Sequence, residues 1–332
     1  MEVLHMTTKS IRLLMAGAAL ALPAVLASTA AAQVYQIGMP LGGTSGTFYV
    51  QGSALADHIN SRASGIRIVP STSGGSVENI RLVGSGQAEF GMAFEGHIFG
   101  AWTGVGFERA YDEYRMVGPA QQTSGWNYVV LADSEIHSAQ DLIGREFVPG
   151  APGSGSASDA DLFLEHIGIR DQINISYYSW GELGRMLTDG DIDGFNRTGG
   201  APAPFATEVD ATHPLRVLDL EPEIDESGFL DAYPFFTKLT IPAGTYSGQE
   251  NDAVTYAQGV QWIVHKDVPD EAVREFLELA YTEDAAAHLD RAFPNHDHRN
   301  MEWLTAAYVP LHPAAAEFWA EKGLDIPDPM QE

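Results

Sequence analysis

The sequence repeats one unit three times: a short apolar strand, a turn rich in Gly and Ser, and a helix. Two copies lie within Val34–Val83, and a third runs from Glu146 to Ile167. Strands that alternate with helices are typical of parallel sheets whose strands are joined by helical crossovers. The 332 residues are enough for about two such blocks, each with its own core. The order of elements therefore predicts an α/β fold with two lobes.

Hydrophobic periodicity places the individual elements. It predicts strands at 34–39, 66–69, 90–94, 126–131, 146–148, 173–177, 192–195, 217–220 and 260–264. It predicts helices at 48–59, 77–83, 138–142, 157–167, 182–187, 270–281 and, interrupted by prolines, 305–323. We expect one lobe to comprise 33–122 with 258–332 and the other 123–257. Such a double crossover predicts a hinge with a ligand cleft between the lobes.

The N-terminus has the three-part layout of a secretory signal peptide. Lys9 and Arg12 precede an apolar run of 15 residues, Leu13–Ala27, and small residues then lead to Ala32. The alternative is an uncleaved membrane anchor, but the run is shorter than the ~20 residues needed to span a bilayer and contains Pro23. We expect residues 1–32 to be removed by cleavage between Ala32 and Gln33 and the protein to be periplasmic.

Charge and cysteine content exclude several classes of protein. The chain has 45 acidic and 18 basic residues, so its net charge is −27. Nucleic-acid affinity comes largely from Lys and Arg that neutralise phosphates, and this balance opposes it. The sequence has no Cys, which excludes disulfides, thiol nucleophiles and iron–sulfur clusters.

Three strand-to-helix turns share one chemistry. They are Gly42–Gly46, Ser73–Ser76 and Gly153–Ser156. The first N–H groups of a helix lack partners within it and carry a partial positive charge. Glycine lets the backbone approach a ligand closely, and Ser or Thr hydroxyls donate or accept hydrogen bonds. The turns favour a bound carboxylate or phosphate, and the alternative is that they are ordinary capping turns.

Signals for an enzyme or a metal site are weak. No Ser has Gly at both flanking second positions, and no Lys follows a phosphate-loop glycine. We therefore expect no catalytic residue, no metal ligand and no cofactor. Two alternatives stay open: a hydrolase or lyase on a related fold, and a metal-binding protein that uses His296, His298 and either His288 or His312.

Six blocks of sequence resemble the solute receptors of TRAP transporters of the TAXI type. They lie at 37–49, 73–82, 150–156, 190–195, 241–246 and 311–315 and so span nearly the whole chain after residue 32. Gly-Gly-Ser-Val-Glu-Asn and Ala-Pro-Gly-Ser-Gly are specific when found together. The resemblance implies a type II-like periplasmic-binding-protein fold without catalysis. It also implies a small carboxylate ligand, such as glutamate or 2-oxoglutarate, and a membrane permease driven by an ion gradient.

The resemblance and the turns together define the candidate ligand contacts. They are Thr44, Ser45, Gly46, Tyr49, Gly74, Gly75, Ser76, Asn79, Ser154, Gly155, Ser156 and Thr198. Glu95 and Arg197 join them at points where the chain departs from the family's pattern. If both face the cleft, the ligand carries an amine as well as a carboxylate; otherwise the two side chains pair with each other or Arg197 faces water. We expect the protein to be a monomer.

Arg197 is the candidate that could grip a carboxylate. It follows the predicted strand 192–195, and ligands bind at the carboxyl ends of strands in open α/β sheets. A guanidinium at this edge can hold a carboxylate through two parallel hydrogen bonds.

Overall fold

Two long antiparallel strands run side by side through the middle of the fold. The computed structural model describes residues 34–44, 46–292, 309–324 and 326, so the expected signal peptide and the start of the predicted helix 305–323 lie outside the described residues. The ten strands are β1 (Tyr35–Pro40), β2 (Ile66–Ser71), β3 (Phe90–Phe94), β4 (Tyr114–Leu131), β5 (Glu146–Val148), β6 (Asn174–Ile175), β7 (Gly194–Gly199), β8 (Leu215–Val217), β9 (Thr237–Ile241) and β10 (Ala253–His265). β4 and β10 are the two long strands.

Eleven α-helices are present in the described residues. They are α1 (Thr47–Asn60), α2 (Ser76–Gly84), α3 (Glu95–Thr103), α4 (Gly155–His166), α5 (Trp180–Asp189), α6 (Pro204–Asp210), α7 (Glu221–Ser227), α8 (Phe229–Ala232), α9 (Asp270–Ala280), α10 (Glu283–Ala292) and α11 (Pro313–Glu321). Within the described ranges, none of these helices has the length and apolar character that crossing a bilayer requires.

The sheet is mixed rather than wholly parallel, which corrects the sequence prediction. β1 pairs with β2 in parallel, and β5 lies parallel to both β6 and β7. The main sheet has the order β3-β10-β4-β7-β5-β6, and β10 pairs antiparallel with β3, β4 and β9. The antiparallel centre arises because β4 and β10 run in opposite directions through the sheet.

Most predicted elements exist, and the differences have local causes. The segment Ser138–Leu142 forms only one 3-10 turn, Gln140–Leu142, and the segment 173–177 pairs over two residues. α3 was not predicted, because its inward face carries the polar residues Glu95 and His97 beside Ile98, and both polar side chains are buried. A polar core face gives no helical hydrophobic period for sequence analysis to detect.

The core is rich in aromatic side chains that pack across β4 and β10. Trp126 of β4 stacks on Tyr256 of β10 at 5.5 Å between ring centroids, and Phe163 of α4 lies 4.8 Å from Tyr256. The phenol of Tyr128 lies 3.1 Å from that of Tyr256, so both buried hydroxyls have a partner. The indole Nε1 of Trp126 also donates to the carbonyl of Ser156 at 3.0 Å, which fixes the start of α4 against β4 and so positions the cavity described next.

Candidate functional site

One cavity lies where five helices begin. It contains about 620 Å³ of space free of protein atoms, part of it open to solvent. Its lining residues are Leu41, Gly42, Gly43, Gly46, Thr47, Phe48, Gly74, Gly75, Ser76, Phe94, Ser124, Ala151, Ser154, Gly155, Ser156, Ser179, Trp180 and Thr198.

The N-cap residues of α1 to α5 all belong to this lining. They are Gly46, Gly75, Phe94, Ser154 and Ser179. Of the five, only Ser154 has a side chain that caps its own helix: its Oγ accepts from the amide of Ala157 at 3.2 Å. Each helix start presents N–H donors and a partial positive charge, worth roughly 0.3–1 kcal/mol toward an anion. The cavity is therefore built to receive negative charge.

Eight of the sequence-predicted contacts line the cavity. They are Gly46, Gly74, Gly75, Ser76, Ser154, Gly155, Ser156 and Thr198. The hydroxyls of Ser124 and Ser156 have no hydrogen-bond partner within the described ranges. They point to a ligand more directly than Ser154, which donates to the carbonyl of Ala151 at 2.8 Å.

Five predicted contacts, Thr44, Tyr49, Asn79, Glu95 and Arg197, do not line the cavity, and Ser45 lies outside the described residues. Thr44 is exposed, and Tyr49 packs against the main core. Asn79 is buried; it donates to the carbonyl of Met92 at 2.9 Å and accepts from Ser73 at 2.5 Å. Asn79 thus holds the turn before α2 in place instead of touching the cavity.

Glu95, the fourth, lies behind the cavity, against β10. Its Oε1 accepts from Nε2 of Gln261 at 2.7 Å, and a side chain at Gly259 would lie within 2.5 Å of the same oxygen. Burial raises the pKa of Glu95 to about 7, and the bonds from Gln261 and the Gly259 backbone oppose the rise. Glu95 is thus a packed side chain that neither lines the cavity nor pairs with Arg197, and it supplies no contact for an amine.

Arg197 lies one layer behind the lining. Its Nη2 donates to Oγ1 of Thr47 at 3.1 Å, and its guanidinium stacks on Trp180, 4.2 Å from the ring centroid. The residue is 3% exposed, and its Nε and Nη1 have no hydrogen-bond partner within the described ranges. Burial lowers the pKa of Arg197 to about 10, which leaves it charged at neutral pH. The cavity therefore has a buried positive charge behind its wall.

Thr47 transmits the effect of that charge. Because its Oγ1 already accepts from Arg197, its hydroxyl hydrogen is free to donate into the cavity. The indole Nε1 of Trp180 is also buried without a partner among the described residues. Sequence analysis missed Thr47, Ser124, Ser179 and Trp180. Thr47 directly follows a predicted turn, and Ser179 precedes the helix predicted at 182–187.

A buried chain of side chains connects α2, α3 and α4. Oγ of Ser76 lies 3.0 Å from Nδ1 of His97, whose Nε2 lies 3.1 Å from Oδ1 of Asp159, within ion-pair distance but not aligned as a hydrogen bond. Oδ2 of Asp159 accepts from Gln258 of β10 at 2.7 Å. The composition is that of a Ser-His-Asp triad, but Oγ of Ser76 also accepts from the amide of Phe94 at 3.0 Å. A buried hydroxyl bound on both sides is suited to holding helices together rather than to nucleophilic attack.

The histidines considered for a metal site do not assemble one in the described residues. His312 is buried, and its Nε2 lies 3.1 Å from the carbonyl of Val268. The ring of His288 lies 5.5 Å from that of His58. His296 and His298 lie outside the described residues. Within the described ranges, no three His, Asp or Glu side chains are grouped so that they could hold a metal ion.

Comparisons with known proteins agree with this architecture. Residues 39–323 match the model of the NMT1-like family. A putative L-cystine ABC transporter structure from Listeria monocytogenes aligns with a TM-score of 0.50 at 14% identity, over 79% of this chain and 97% of that one. Lactococcal OpuAC, in a closed conformation with glycine betaine, aligns with a TM-score of 0.50 at 14% identity, over 87% and 96%. The fold is thus the two-lobed, type II-like fold of periplasmic solute-binding proteins, as predicted.

Proposed function

The chain belongs to the NMT1-like family, and from that premise we propose that it is a non-enzymatic, exported solute receptor which closes around a small carboxylate. The observation that carries the proposal is the meeting of five helix N-termini at one cavity, with the unpaired Arg197 behind its wall. Helix N-termini and charge-assisted hydrogen bonds favour an anion where side-chain cations are scarce.

We propose that two lobes close on the ligand. One lobe comprises residues 33–122 and 258–332, and the other comprises residues 123–257. Contacts across that division support a closed state: Arg197 donates to Thr47, and His97 lies beside Asp159. A ligand held between the lobes shifts the population toward the closed form only by its differential affinity for that form. The bonds around the cavity supply such a difference, because they require both lobes.

We infer further that the permease which receives the ligand is of the TRAP type and that the receptor works as a periplasmic monomer. The support is the set of sequence blocks that resemble TAXI receptors, in order along the chain. The similar Listeria monocytogenes protein is, by contrast, a putative L-cystine ABC transporter. Uptake measured with and without an ionophore separates the two: a TRAP partner loses uptake when the ion gradient collapses, whereas an ABC partner depends on ATP.

A thermal-shift screen of carboxylates, phosphates and neutral solutes tests the ligand class. A ligand that binds only the folded protein at ~100 times its Kd should add about 2.7 kcal/mol of stability. Carboxylates that raise the Tm, with isothermal titration calorimetry giving one site per chain, would support the proposal. Stabilisation by neutral solutes alone would contradict it. Equilibrium dialysis with zinc distinguishes a carboxylate receptor from a metal-binding protein, because only the latter should retain zinc.

A further inference from the structure

We propose that the ligand is a monocarboxylate with an apolar body and no ammonium group, so that amino acids and dicarboxylates are poor ligands. This inference rests on the proposed carboxylate receptor and narrows its substrate class. It decides against the alternative in which Glu95 and Arg197 both face the cleft and together select an amine and a carboxylate. Three features of the cavity support the inference: no described lining residue is acidic, many of the surrounding groups are hydrogen-bond donors, and part of the wall is apolar.

None of the described lining residues is acidic. Three carboxylates lie on helices that begin at the cavity, and each has a partner of its own. Glu78 accepts from the amide of Gly74 at 2.6 Å, Glu95 is bound by Gln261, and Asp159 is bound by Gln258 and lies beside His97. An amino acid's ammonium group would enter the cavity without a carboxylate to pair with it.

The groups in and directly behind the cavity wall include many donors and positive ends of dipoles. They include the five helix starts, the indole N–H of Trp180 and the guanidinium of Arg197. Like charges within about 4–6 Å disfavour each other, and an ammonium cannot accept a hydrogen bond from an N–H group. The electrostatic arrangement that favours a carboxylate therefore opposes an ammonium on the neighbouring carbon.

Four large side chains make part of the wall apolar. Leu41, Phe48, Phe94 and Trp180 all line the cavity, and the rings of Phe48 and Phe94 lie 5.1 Å apart. Burying an alkyl or aryl group against such a wall is favourable, at roughly 25 cal/mol per Å². Burying a second carboxylate there without a partner is costly. The wall selects a hydrocarbon body over a second acidic group.

Three pairs of compounds test the proposal by calorimetry on the purified protein. Each pair differs by one ammonium group: 3-phenylpropanoate and L-phenylalanine, 4-methylpentanoate and L-leucine, glutarate and L-glutamate. We expect the first member of the first two pairs to bind at least tenfold more tightly than its amino acid and at least tenfold more tightly than glutarate. Equal or tighter binding of the amino acids, or of glutarate or glutamate, overturns the inference but leaves the carboxylate receptor standing. No binding by any of the six overturns both.

Variants of the wall supply a second readout. Phe48→Leu should weaken 3-phenylpropanoate at least threefold while the melting profile stays cooperative, because a smaller side chain contacts the aryl group less. Tyr178→Ala, an exposed aromatic position outside the lining, is the control and should leave the affinity unchanged. An unchanged affinity in Phe48→Leu would show that the ligand body does not lie against this wall.

Discussion

Nη2 of Arg197 donates to Oγ1 of Thr47 at 3.1 Å, and this bond joins strand β7 to the first turn of α1. The sequence left open whether the arginine contacts the ligand directly, faces water or pairs with an acidic residue. In the structure Thr47 lines the cavity, whereas Arg197, its hydrogen-bond donor, does not. The arginine thus acts as a positioning residue, which orients the threonine hydroxyl and supplies positive charge through the wall.

This arrangement predicts coupled losses of affinity. Arg197→Ala should weaken carboxylate binding by roughly 2 kcal/mol, since hydrogen bonds that involve a charged group contribute about 1.5–3 kcal/mol. Thr47→Val, which removes the hydroxyl at constant shape, should cost about 1 kcal/mol. Calorimetry on the double variant should show less than the sum, because the two groups act in series. Arg197→Lys should recover part of the loss by keeping the charge. Additive losses would show that Arg197 acts without Thr47.

Gly155 tests whether close approach of the helices is needed for binding. A Cβ at Gly155 would lie 2.7 Å from Cε1 of His97 and 2.9 Å from Cβ of Ser76. Gly155→Ala should therefore hold α4 away from α2 and α3 and weaken ligand binding at least tenfold. In the presence of ligand, small-angle X-ray scattering should give a larger radius of gyration for Gly155→Ala than for the wild-type protein.

Gly181→Ala is the matched control for that experiment. Gly181 lies in the first turn of α5, and a Cβ there would meet nothing within 4 Å. Alanine should leave binding unchanged and stabilise the helix slightly. If Gly155→Ala binds as tightly as Gly181→Ala, the helices need not approach as closely as they do here.

Gly75 tests the turn before α2. Its φ of +101° lies in a region that favours glycine, and a Cβ there would have open space around it. Gly75→Ala should therefore cost stability through backbone strain alone, of order 1–3 kcal/mol, and should also lose ligand affinity because the amides of the turn move.

Gly168→Ala separates the two effects of that change. Gly168 also has a positive φ, +77°, with open space around it, and lies outside the cavity lining. Urea unfolding should show destabilisation in both variants, whereas calorimetry should show weaker binding only in Gly75→Ala. Unchanged affinity in Gly75→Ala would leave this turn as a simple capping turn.

The raised pKa of Glu95 leads us to expect that the stability of the protein depends on pH. Burial raises its pKa from about 4.5 to about 7, so the folded protein holds a proton that the unfolded chain releases. The free energy of unfolding should therefore fall as pH rises from about 4.5 through 7. Glu95→Gln should flatten this part of the profile and raise stability at pH 8 by up to about 3 kcal/mol. The exposed Glu317→Gln is the control. A profile unchanged in Glu95→Gln would show that another group titrates.

Sequence analysis identified the turns well and the longer-range contacts poorly. Ser76 and Gly155 were predictable because glycine and serine at a strand-to-helix junction have a local conformational meaning. The positions of Glu95 and Arg197 were not, because whether a charged side chain lines a cavity depends on packing between segments far apart in the chain. Glu95 lies against Gln261, and Arg197 against Thr47.

The sheet shows the same limit. Local periodicity predicted the strand segments 126–131 and 260–264 but not that β4 extends back to Tyr114 or that β10 begins at Ala253. The extension of β4 pairs with β10, and residues 253–257 of β10 pair with β9. Pairing partners so far apart in sequence leave little trace in a local window of residues.

The ladder between β4 and β10 sets the kind of movement that the molecule can make. Its register shifts at three places, between Gln258 and Val260, between Val260 and Gln261, and between Trp262 and Ile263. Hydrogen-bonded strands cannot slide past each other without breaking the ladder, but irregularities of this kind let a two-stranded ribbon bend and twist. Because Val260 also pairs with Phe94 of the lining, an opening of the cavity that kept these hydrogen bonds would have to bend the ribbon at this irregular stretch.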